Sequence, residues 1–444
     1  MTKIYNLIIA SILMMSFASC DDFLDIQPVG RVIPRTAKEF REMLTQAYSL
    51  TPSDRGLATF RSDEFIMDPS LSKEDLNSYK DIWLWNDVNP SETTISFNWR
   101  NYYQIMFSAN YTIESKDKIL DGTKIEIDEL VGESYMLRAY MHFLLVNLYG
   151  EPYTACDPAT SKAVPLKMNS STDKLLSRNT VGEIYKQILE DIDTAEKLIT
   201  VENWDKGFTY RFNTISINAL RSRVYLYMGL WDKSLKASED VLKVKNILAD
   251  LSTILPNDFE SPEAIVSLER GVNAQYVRAG KVNPNLWKLY ENGDLRKAKY
   301  YKQITASNIQ VIKSGSDNFR CTFRVGEIYL NAAEAALENN ENGIENARKY
   351  LLILNKARYN ETKYTAKETA INAMTRDELR QEIYTERQRE LAFEGHRWFD
   401  LRRTTRPAIE KTYIGVSHLL EKNDSRYTIR IPSEAIAANP ELAN

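Results

Sequence analysis

The sequence is poor in the residues from which many catalytic and metal sites are built. Among 444 residues it contains three histidines and three cysteines. This number is too small for a dense imidazole metal cluster or a disulfide framework. The motifs HExxH, GxxxxGK[ST], GxGxxG and GxSxG, which mark zinc proteases, phosphate loops, dinucleotide sites and nucleophile elbows, are also absent. The sequence therefore predicts no catalytic residue and no metal site of a conventional type.

An excess of positive charge is lacking as well. The chain has 57 Lys and Arg against 61 Asp and Glu, which gives a formal net charge of −4. A nucleic-acid-binding protein usually shows a basic excess, so we expect no nucleic-acid partner. Beyond the N-terminal segment, no apolar run approaches the roughly 18 residues that a membrane-spanning helix requires. Hydrophobic residues at 43% and charged residues at 27% are ordinary for a globular chain.

The N-terminal segment has the organisation of a secretory signal peptide. Lys3 supplies a positive charge, and the apolar stretch from Ile4 to Phe17 follows it. Phe17-Ala-Ser-Cys20 then resembles a bacterial lipobox, whose cysteine becomes the acylated first residue of the mature protein. We therefore predict a signal peptide at residues 1–19 and lipidation, by acyl chains such as palmitate, at Cys20. An ordinary secreted protein with an incidental cysteine is the alternative.

Most of the remaining chain has helical periodicity. Residues 213–228 and 231–244 form one predicted helix pair, and residues 327–338 and 344–357 form another. Small residues occur where two paired helices would cross, at the spacing of a tetratricopeptide (TPR) turn. The pattern predicts a mainly α fold, in which TPR-like helix pairs form a solenoid.

Two long segments, residues 51–92 and 249–320, interrupt this periodicity with prolines and glycines. Loops of this length in a compact domain often serve a function. Both segments also contain Trp and Tyr, whose rings can stack on the flat C–H faces of sugars. We predict that the ligand site draws on both segments, although such aromatic residues equally often fill a core. The candidate stacking residues are Trp83, Trp85, Tyr276 and Trp287.

The most specific motif is the charged and aromatic stretch from Glu386 to Arg403. A capping box at Thr375–Glu378 begins a helix that we predict to run from about Arg376 to Glu394, with Gly395 as its stop. Acidic and basic side chains alternate with large apolar ones along this stretch. The alternation predicts carboxylate–guanidinium pairs that are partly buried between elements.

This stretch, Glu-Arg-x-x-Glu-Leu-x-Phe-Glu-Gly-x-Arg-x-x-Asp-Leu-x-Arg, resembles the C-terminal signature of the SusD/RagB family. Members are nutrient-binding outer-membrane lipoproteins of Bacteroidetes. The segment from Cys20 to Pro28 and the tail from Tyr427 to Asn439 resemble the same family. The resemblance implies one domain at residues 20–444, built from TPR-like helix pairs with little strand. It also implies that the signature supports the scaffold, while the pocket is built on loops away from the TPR face.

The resemblance further implies a function. A lipid-anchored protein on the exterior of the outer membrane would bind an oligosaccharide or another nutrient, such as a peptide. It would pass this cargo to a SusC-like TonB-dependent transporter, with no bond broken and no cofactor. Two alternatives stay open: a secreted glycan hydrolase, whose carboxylate pair has no fixed sequence spacing, and a structural or adhesive surface lipoprotein. The sequence also leaves open the ligand's identity, a bound Ca²⁺ and the pairing of Cys156 with Cys321.

Overall fold

The computed structural model describes residues 33–67, 69–305, 308–340 and 343–443. Helices account for most of its regular structure. The predicted signal peptide and the predicted lipidation site Cys20 lie outside the described residues. In the described ranges, none of the helices combines the length and the apolar composition that a membrane crossing requires.

The helices, in chain order, are α1 (Ala37–Ser49), α2 (Asp54–Leu57), α3 (Lys73–Trp83), α4 (Arg100–Glu114), α5 (Lys124–Tyr149), α6 (Val181–Ala195), α7 (Thr214–Met228), α8 (Trp231–Val244), α9 (Ala274–Ala279), α10 (Pro284–Lys288), α11 (Arg296–Tyr300), α12 (Val325–Asn339), α13 (Gly343–Lys356), α14 (Glu361–Ala373), α15 (Arg376–Glu390), α16 (Arg397–Arg403) and α17 (Ser433–Ala438). The strands are β1 (Phe65–Ile66), β2 (Ala264–Val266), β3 (Lys281–Val282), β4 (Tyr301–Thr305), β5 (Asn308–Val311), β6 (Phe323–Arg324), β7 (Ile409–Tyr413) and β8 (Val416–Leu420). They pair as short antiparallel ribbons, namely β1 with β3, β2 with β6, β4 with β5 and β7 with β8.

The helical core consists of helices that pack in pairs, in which most helices contact the next one along the chain. Helices α4, α5 and α6 pack side by side, and α7, α8, α12 and α13 form a second set. At the crossing of α7 and α8 the hydroxyls of Ser222 and Ser238 lie 2.7 Å apart, and Ser234 donates to the Ser222 carbonyl at 2.9 Å. Such small residues let two helix backbones approach closely. The prediction of a mainly α, TPR-like fold with little strand is confirmed.

Helix α5 forms the centre of this core. It begins at a capping box made by Thr123 and Glu126, and nearly all of its residues are buried. Its second half, from Met136 to Tyr149, is mainly apolar on all sides, which is typical of a helix inside a protein. His142 on this helix is buried, and its Nε2 accepts a hydrogen bond from the Lys167 amide at 3.1 Å. Burial lowers the pKa of His142 to about 3, so it is a neutral core residue.

The two segments predicted to be irregular contain more secondary structure than the periodicity indicates. Residues 51–92 include α2, β1 and α3, and residues 249–320 include β2, α9 to α11, β3, β4 and β5. The apolar stretch Ile265-Val-Ser-Leu268 favours a short strand, and it overlaps β2. Most of these elements have two to six residues, which is too short for a helical or strand period to be visible in the sequence.

The C-terminal region differs from its prediction at two places. Helix α15 ends at Glu390 and not at Glu394, because Phe393 adopts φ 60° and reverses the chain before Gly395, which has φ 76°. The Phe393 carbonyl then accepts a hydrogen bond from the Val272 amide at 3.2 Å. Apolar and polar residues alternate weakly from Tyr413 to Ile431, which predicts a hairpin there. The hairpin of the structure lies earlier in the chain, as β7 and β8.

Candidate functional site

A surface cavity of about 410 Å³ lies at the C-terminal end of α1. Its volume falls within the range of about 300–1,000 Å³ that is common for small-molecule sites. Its walls come from α1, from the connector between α6 and α7, and from both segments predicted to be irregular. The lining residues are Thr45, Tyr48, Ser49, Thr51, Ser53, Tyr210, Leu268, Arg270 and Arg320.

A second cavity of about 330 Å³ adjoins the first, because Arg270 lines both. Its other lining residues are Asn273, Ala274, Gln275, Gly315, Ser316 and Asp317. We call the two cavities together the groove.

The floor of the groove is backbone that is held by hydrogen bonds. Arg270 and Arg320 are partners in an isolated antiparallel bridge. The Cys321 amide donates to the Glu269 carbonyl at 2.9 Å, and the Leu268 amide donates to the Thr322 hydroxyl at 3.1 Å. These bonds fix the segment around residue 270 against the segment around residue 320.

A backbone contact joins the two sides of the groove. The Cα of Gly56, in α2, lies so close to Gly271 that a Cβ added at Gly56 would be 1.7 Å from the Gly271 carbonyl oxygen. A Cβ added at Gly271 would in turn be 2.8 Å from the Cα of Glu394. Only glycine permits this stacking of three chain segments.

Two tyrosines form the aromatic wall. Tyr48 and Tyr210 pack edge to face with ring centroids 5.2 Å apart. Tyr48 is buried and donates to Glu133 Oε2 at 2.8 Å, and burial together with this carboxylate raises its pKa well above the ordinary value. Tyr210 is half-buried and lines the cavity. Its ring is therefore the aromatic surface that a ligand in the groove can reach.

Polar groups surround this ring. The Thr51 hydroxyl is buried and has no hydrogen-bond partner among the described residues. Arg270 pairs with Asp317 at 3.0 Å, and Arg320 Nε donates to the Asp317 carbonyl at 3.0 Å. An aromatic face can pack against the apolar C–H face of a sugar ring, while hydroxyl and guanidinium groups beside it bind the sugar's hydroxyls.

Trp83 and Trp85 lie in the core and not on the surface. Each is 1% exposed, and their indole N–H groups donate to the carbonyls of Phe65 at 3.0 Å and Arg61 at 2.8 Å. The Lys411 ammonium lies 4.1 Å from the Trp85 ring centroid. The structure thus gives these two indoles core positions, which is the alternative that the sequence left open, because a cation from β7 and the surrounding backbone cover them.

Tyr276 is also buried, at 7% exposure. Its ring packs edge to face against Phe60 and Tyr79, with centroid distances of 5.8 and 5.6 Å. The preceding residues Ala274 and Gln275 of the same helix line the groove. Tyr276 thus supports the groove from behind and does not line it.

Trp287 is the one of the four candidates that keeps a partly exposed ring. It packs edge to face against Tyr301 at 5.6 Å, and the Lys297 ammonium lies 4.9 Å from its centroid. It does not line the groove. The structure therefore does not bring the four candidates together in one concavity, and their contact with a ligand stays a prediction.

The groove residues were not identified from the sequence. Thr51 and Arg320 lie at the ends of the two irregular segments and Arg270 lies inside the second one, and none of the three belongs to the aromatic residues on which the sequence prediction rests. Tyr210 lies in the connector between α6 and α7, which also contains Trp204 and Phe208. With Phe212, this polar connector contains four aromatic residues, and they are the signal that could have found this wall.

Within the ranges that the structure describes, no group of three or more His, Cys, Asp or Glu residues is arranged to hold a metal ion. Cys156 and Cys321 are both free thiols. Burial raises the pKa of both thiols, which makes thiolate chemistry at either position unfavourable.

Two protein-family models match this chain. A SusD-like model, described as starch-binding and associating with the outer membrane, matches residues 22–226. The SusD family model matches residues 268–443. The two matches do not overlap and together span most of the chain, including both sides of the groove.

Individual proteins match over nearly the full length. SusD-like protein P38 of Formosa agariphila is 24% identical, over 91% of this chain and 93% of its own. A SusD superfamily protein from Bacteroides thetaiotaomicron VPI-5482 has a TM-score of 0.76 and 23% identity, covering 92% of this chain and 99% of that one. Surface glycan-binding protein A from Bacteroides uniformis has a TM-score of 0.73 and 15% identity, over 92% and 99% of the two chains. These structural matches establish the fold.

Proposed function

Because this chain belongs to the SusD/RagB family, we propose that it binds an oligosaccharide at the surface of the outer membrane and passes it to a SusC-like TonB-dependent transporter. The observation that carries the proposal is the groove, where the accessible ring of Tyr210 adjoins the unpaired Thr51 hydroxyl and two arginines. Binding and release suffice for this role, and no bond of the cargo is broken.

The chemistry of the groove supports a sugar as the cargo. A pyranose ring has flat C–H faces that pack against an aromatic plane, and its hydroxyls need polar partners at the ring edge. Tyr210 provides the plane, while Thr51, Ser53 and the arginines provide donors and acceptors around it. Trp287, with its partly exposed ring, is a further candidate contact outside the groove.

Membrane attachment completes the proposal. Signal peptidase would cleave after residue 19, and acylation of Cys20 would hold the mature protein on the outer membrane, facing the cell exterior. Several acyl chains, such as palmitate, anchor stably, because each buried methylene contributes about 0.8 kcal/mol. The description of the family as associating with the outer membrane supports this placement.

We predict that Tyr210→Ala weakens oligosaccharide binding about thirtyfold, because removal of an interface anchor commonly costs about 2 kcal/mol. Calorimetry with the soluble mature chain and a panel of oligosaccharides measures this change. Phe107→Ala is the matched control, since Phe107 is an exposed aromatic residue that does not line the groove. The melting temperature should stay unchanged in both variants.

Other results would redirect the proposal. Wild-type affinity in Tyr210→Ala would place the site elsewhere, and a loss of affinity in Trp287→Ala would move it to that ring. Shortened oligosaccharides after prolonged incubation would favour a glycan hydrolase. Copurification of a TonB-dependent transporter with the lipidated protein tests the partnership, and its absence together with failure to bind any oligosaccharide would favour an adhesive role.

A further inference from the structure

Two arginines meet in the groove at directly opposite positions. Arg270 and Arg320 are partners in the antiparallel bridge, so both side chains leave the same side of the backbone pair. Both residues line the larger cavity. Like charges at opposite positions repel each other, and this repulsion is relieved when an anion lies between them.

The surrounding residues supply less negative charge than the pair requires. Asp317 pairs with Arg270 at 3.0 Å, but the two side chains are 43% and 74% exposed, and exposed ion pairs are weak. Arg320 donates to the Asp317 carbonyl oxygen, which is neutral. The residues that line the larger cavity include no Asp or Glu.

A third guanidinium lies beside the aromatic wall. Arg211 does not line either cavity, but its Nε is 3.4 Å from the Tyr210 hydroxyl. Its guanidinium lies over the rings of Phe208 at 4.4 Å, Trp204 at 4.9 Å and Tyr210 at 5.5 Å. The surplus of positive charge therefore extends from the arginine pair to the ring that a sugar would contact. It occurs on a chain whose formal net charge is −4, so it is a local feature of the groove.

Arginines in the protein interior are arranged differently. Arg138 forms a two-pronged pair with Asp191, Arg223 with Glu327, and Arg403 with Glu334, with each contact between 2.5 and 2.8 Å. In each case a carboxylate meets the planar guanidinium in the geometry that suits it best. In the groove, the edge of the guanidinium that a carboxylate occupies in these interior pairs is open to a ligand.

We propose that the oligosaccharide bound in the groove is acidic, with Arg270 and Arg320 binding its carboxylate or sulfate groups. The inference rests on the proposed function, because it names the class of sugar taken by the same groove. Carboxylate and sulfate are planar or tetrahedral oxyanions that accept two parallel N–H bonds from one guanidinium. Neutral sugars can accept single hydrogen bonds from these arginines but cannot neutralise their charge.

The test compares matched pairs of oligosaccharides by calorimetry at 0.15 M salt. One pair is a uronate oligosaccharide and its carboxyl-reduced form, and the other is a sulfated oligosaccharide and its desulfated form. We expect at least one acidic member to bind about tenfold or more tightly than its neutral counterpart, as charge-assisted hydrogen bonds do. The pair that shows the preference distinguishes carboxylate from sulfate.

Variants connect the preference to the groove. Arg320→Gln and Arg270→Gln should each reduce the preference for the acidic member about tenfold, and Arg320→Lys should retain part of it because it keeps the charge without the planar fork. Arg100→Gln removes one positive charge from an exposed position at the start of α4 and should change neither affinity nor preference. Unchanged melting temperatures show that each variant is folded.

The outcomes separate this inference from the proposed function. Equal binding of neutral and acidic members, with no effect of Arg320→Gln, would overturn the acidic cargo and leave oligosaccharide binding intact. Failure to bind any member of either pair would contradict both. A preference that Arg100→Gln weakens as much as Arg320→Gln does would show general charge attraction and would also overturn the assignment.

Discussion

Lys411 explains, at the scale of single residues, why two tryptophans lie in the core. Its ammonium donates to the carbonyls of Phe60 at 2.8 Å and Trp83 at 2.9 Å, and it lies over the ring of Trp85. Burial lowers the pKa of Lys411 well below its ordinary value. Carbonyl dipoles and the negative faces of two indoles replace the water around this cation. The two indoles thus bind a lysine of their own chain. The sequence interpretation made them candidates for sugar binding and did not include this role.

Glu64 provides a prediction about pH. Its carboxyl group is buried, and Oε1 accepts a hydrogen bond from the Phe393 amide at 3.2 Å. Burial, with the adjacent Asp63 charge, raises the pKa of Glu64 to about 8 from 4.5. Between these two values the folded state binds a proton that the unfolded state has released. The contribution of Glu64 to the free energy of unfolding therefore falls as the pH rises from about 5 to 8.

We predict that Glu64→Gln makes this fall smaller, because glutamine cannot ionise. Each pKa unit of difference corresponds to about 1.4 kcal/mol, so the change should exceed about 1 kcal/mol at pH 8. Urea denaturation at pH 5, 6.5 and 8 measures it, and Glu92→Gln, at an exposed position, is the control. Asp54, whose pKa is raised to about 7 by burial, contributes with the same sign and should leave part of the fall. An identical pH dependence in wild type and Glu64→Gln would contradict the assignment.

At the scale of elements, the sequence predicts long helices well and short ones poorly. Helix α6 has several apolar residues on one stripe and a capping box at Thr180, so its period and its start are both visible. Helices α9 to α11 have five or six residues each, which is less than two turns. The chain reversal at the left-handed Phe393, just after the C-terminal end of α15, involves a contact with Val272, more than 100 positions away. Local sequence contains no information about such contacts.

The same reasoning applies to the proposed ligand site. The two interrupted segments could be predicted as contributors, because prolines and glycines mark them, and both supply residues to the groove. The individual residues could not be predicted, because Arg270 and Arg320 become neighbours through a bridge across 50 positions of sequence. Aromatic content was a misleading guide, since Trp83 and Trp85 serve the core.

Gly56 provides a prediction about how these segments meet. A Cβ at this position would be 1.7 Å from the Gly271 carbonyl oxygen, and backbone atoms cannot move aside as a side chain can. We predict that Gly56→Ala lowers the free energy of unfolding by about 1–3 kcal/mol or more and weakens ligand binding, because the segment bearing Arg270 must shift. Chemical denaturation and calorimetry measure the two effects.

Gly132→Ala is the comparison variant for Gly56→Ala. The nearest atom to its added Cβ is a side-chain carbon of Ile199, at 2.7 Å, and Gly132 lies in α5, where alanine favours the helix. A smaller loss of stability and unchanged binding are expected. Full stability and full affinity in Gly56→Ala would show that the two segments can separate without affecting the groove.

At the scale of the whole molecule, buried ion pairs connect the groove-bearing segments to the helical core. Glu390 of α15 accepts from Arg324 at 2.7 Å, from Arg358 at 2.9 Å and from Arg296 at 3.0 Å. These arginines come from three separate parts of the chain. Burial alone would raise the pKa of Glu390, but the three cations outweigh it and lower the pKa well below the ordinary value. The predicted burial of carboxylate–guanidinium pairs around the C-terminal signature is confirmed.

The last prediction concerns Glu394, which extends this network to Lys313. Its carboxylate accepts from Arg324 Nε at 2.8 Å and from Lys313 Nζ at 2.5 Å, and all three groups are almost fully buried. Removal of one partner leaves the others charged and unpaired, at a cost of about 3–5 kcal/mol. Arg397 pairs with Asp63 at 2.7 Å, but Asp63 is 31% exposed, so water can solvate it when the partner is lost. We therefore predict that Glu394→Ala destabilises the fold clearly more than Arg397→Ala does.

Urea denaturation followed by tryptophan fluorescence and near-ultraviolet circular dichroism tests this order, with the exposed Glu434→Ala as the control. Because the network joins the solenoid to the groove-bearing segments, both signals should change in one transition in the wild type and in each variant. The folded fraction of Glu394→Ala at low temperature should bind ligand, since Glu394 does not line the groove. Wild-type stability with lost binding would place Glu394 at the ligand site. Two separate transitions would show that the groove-bearing segments unfold on their own, and the network would then not be what holds them to the core.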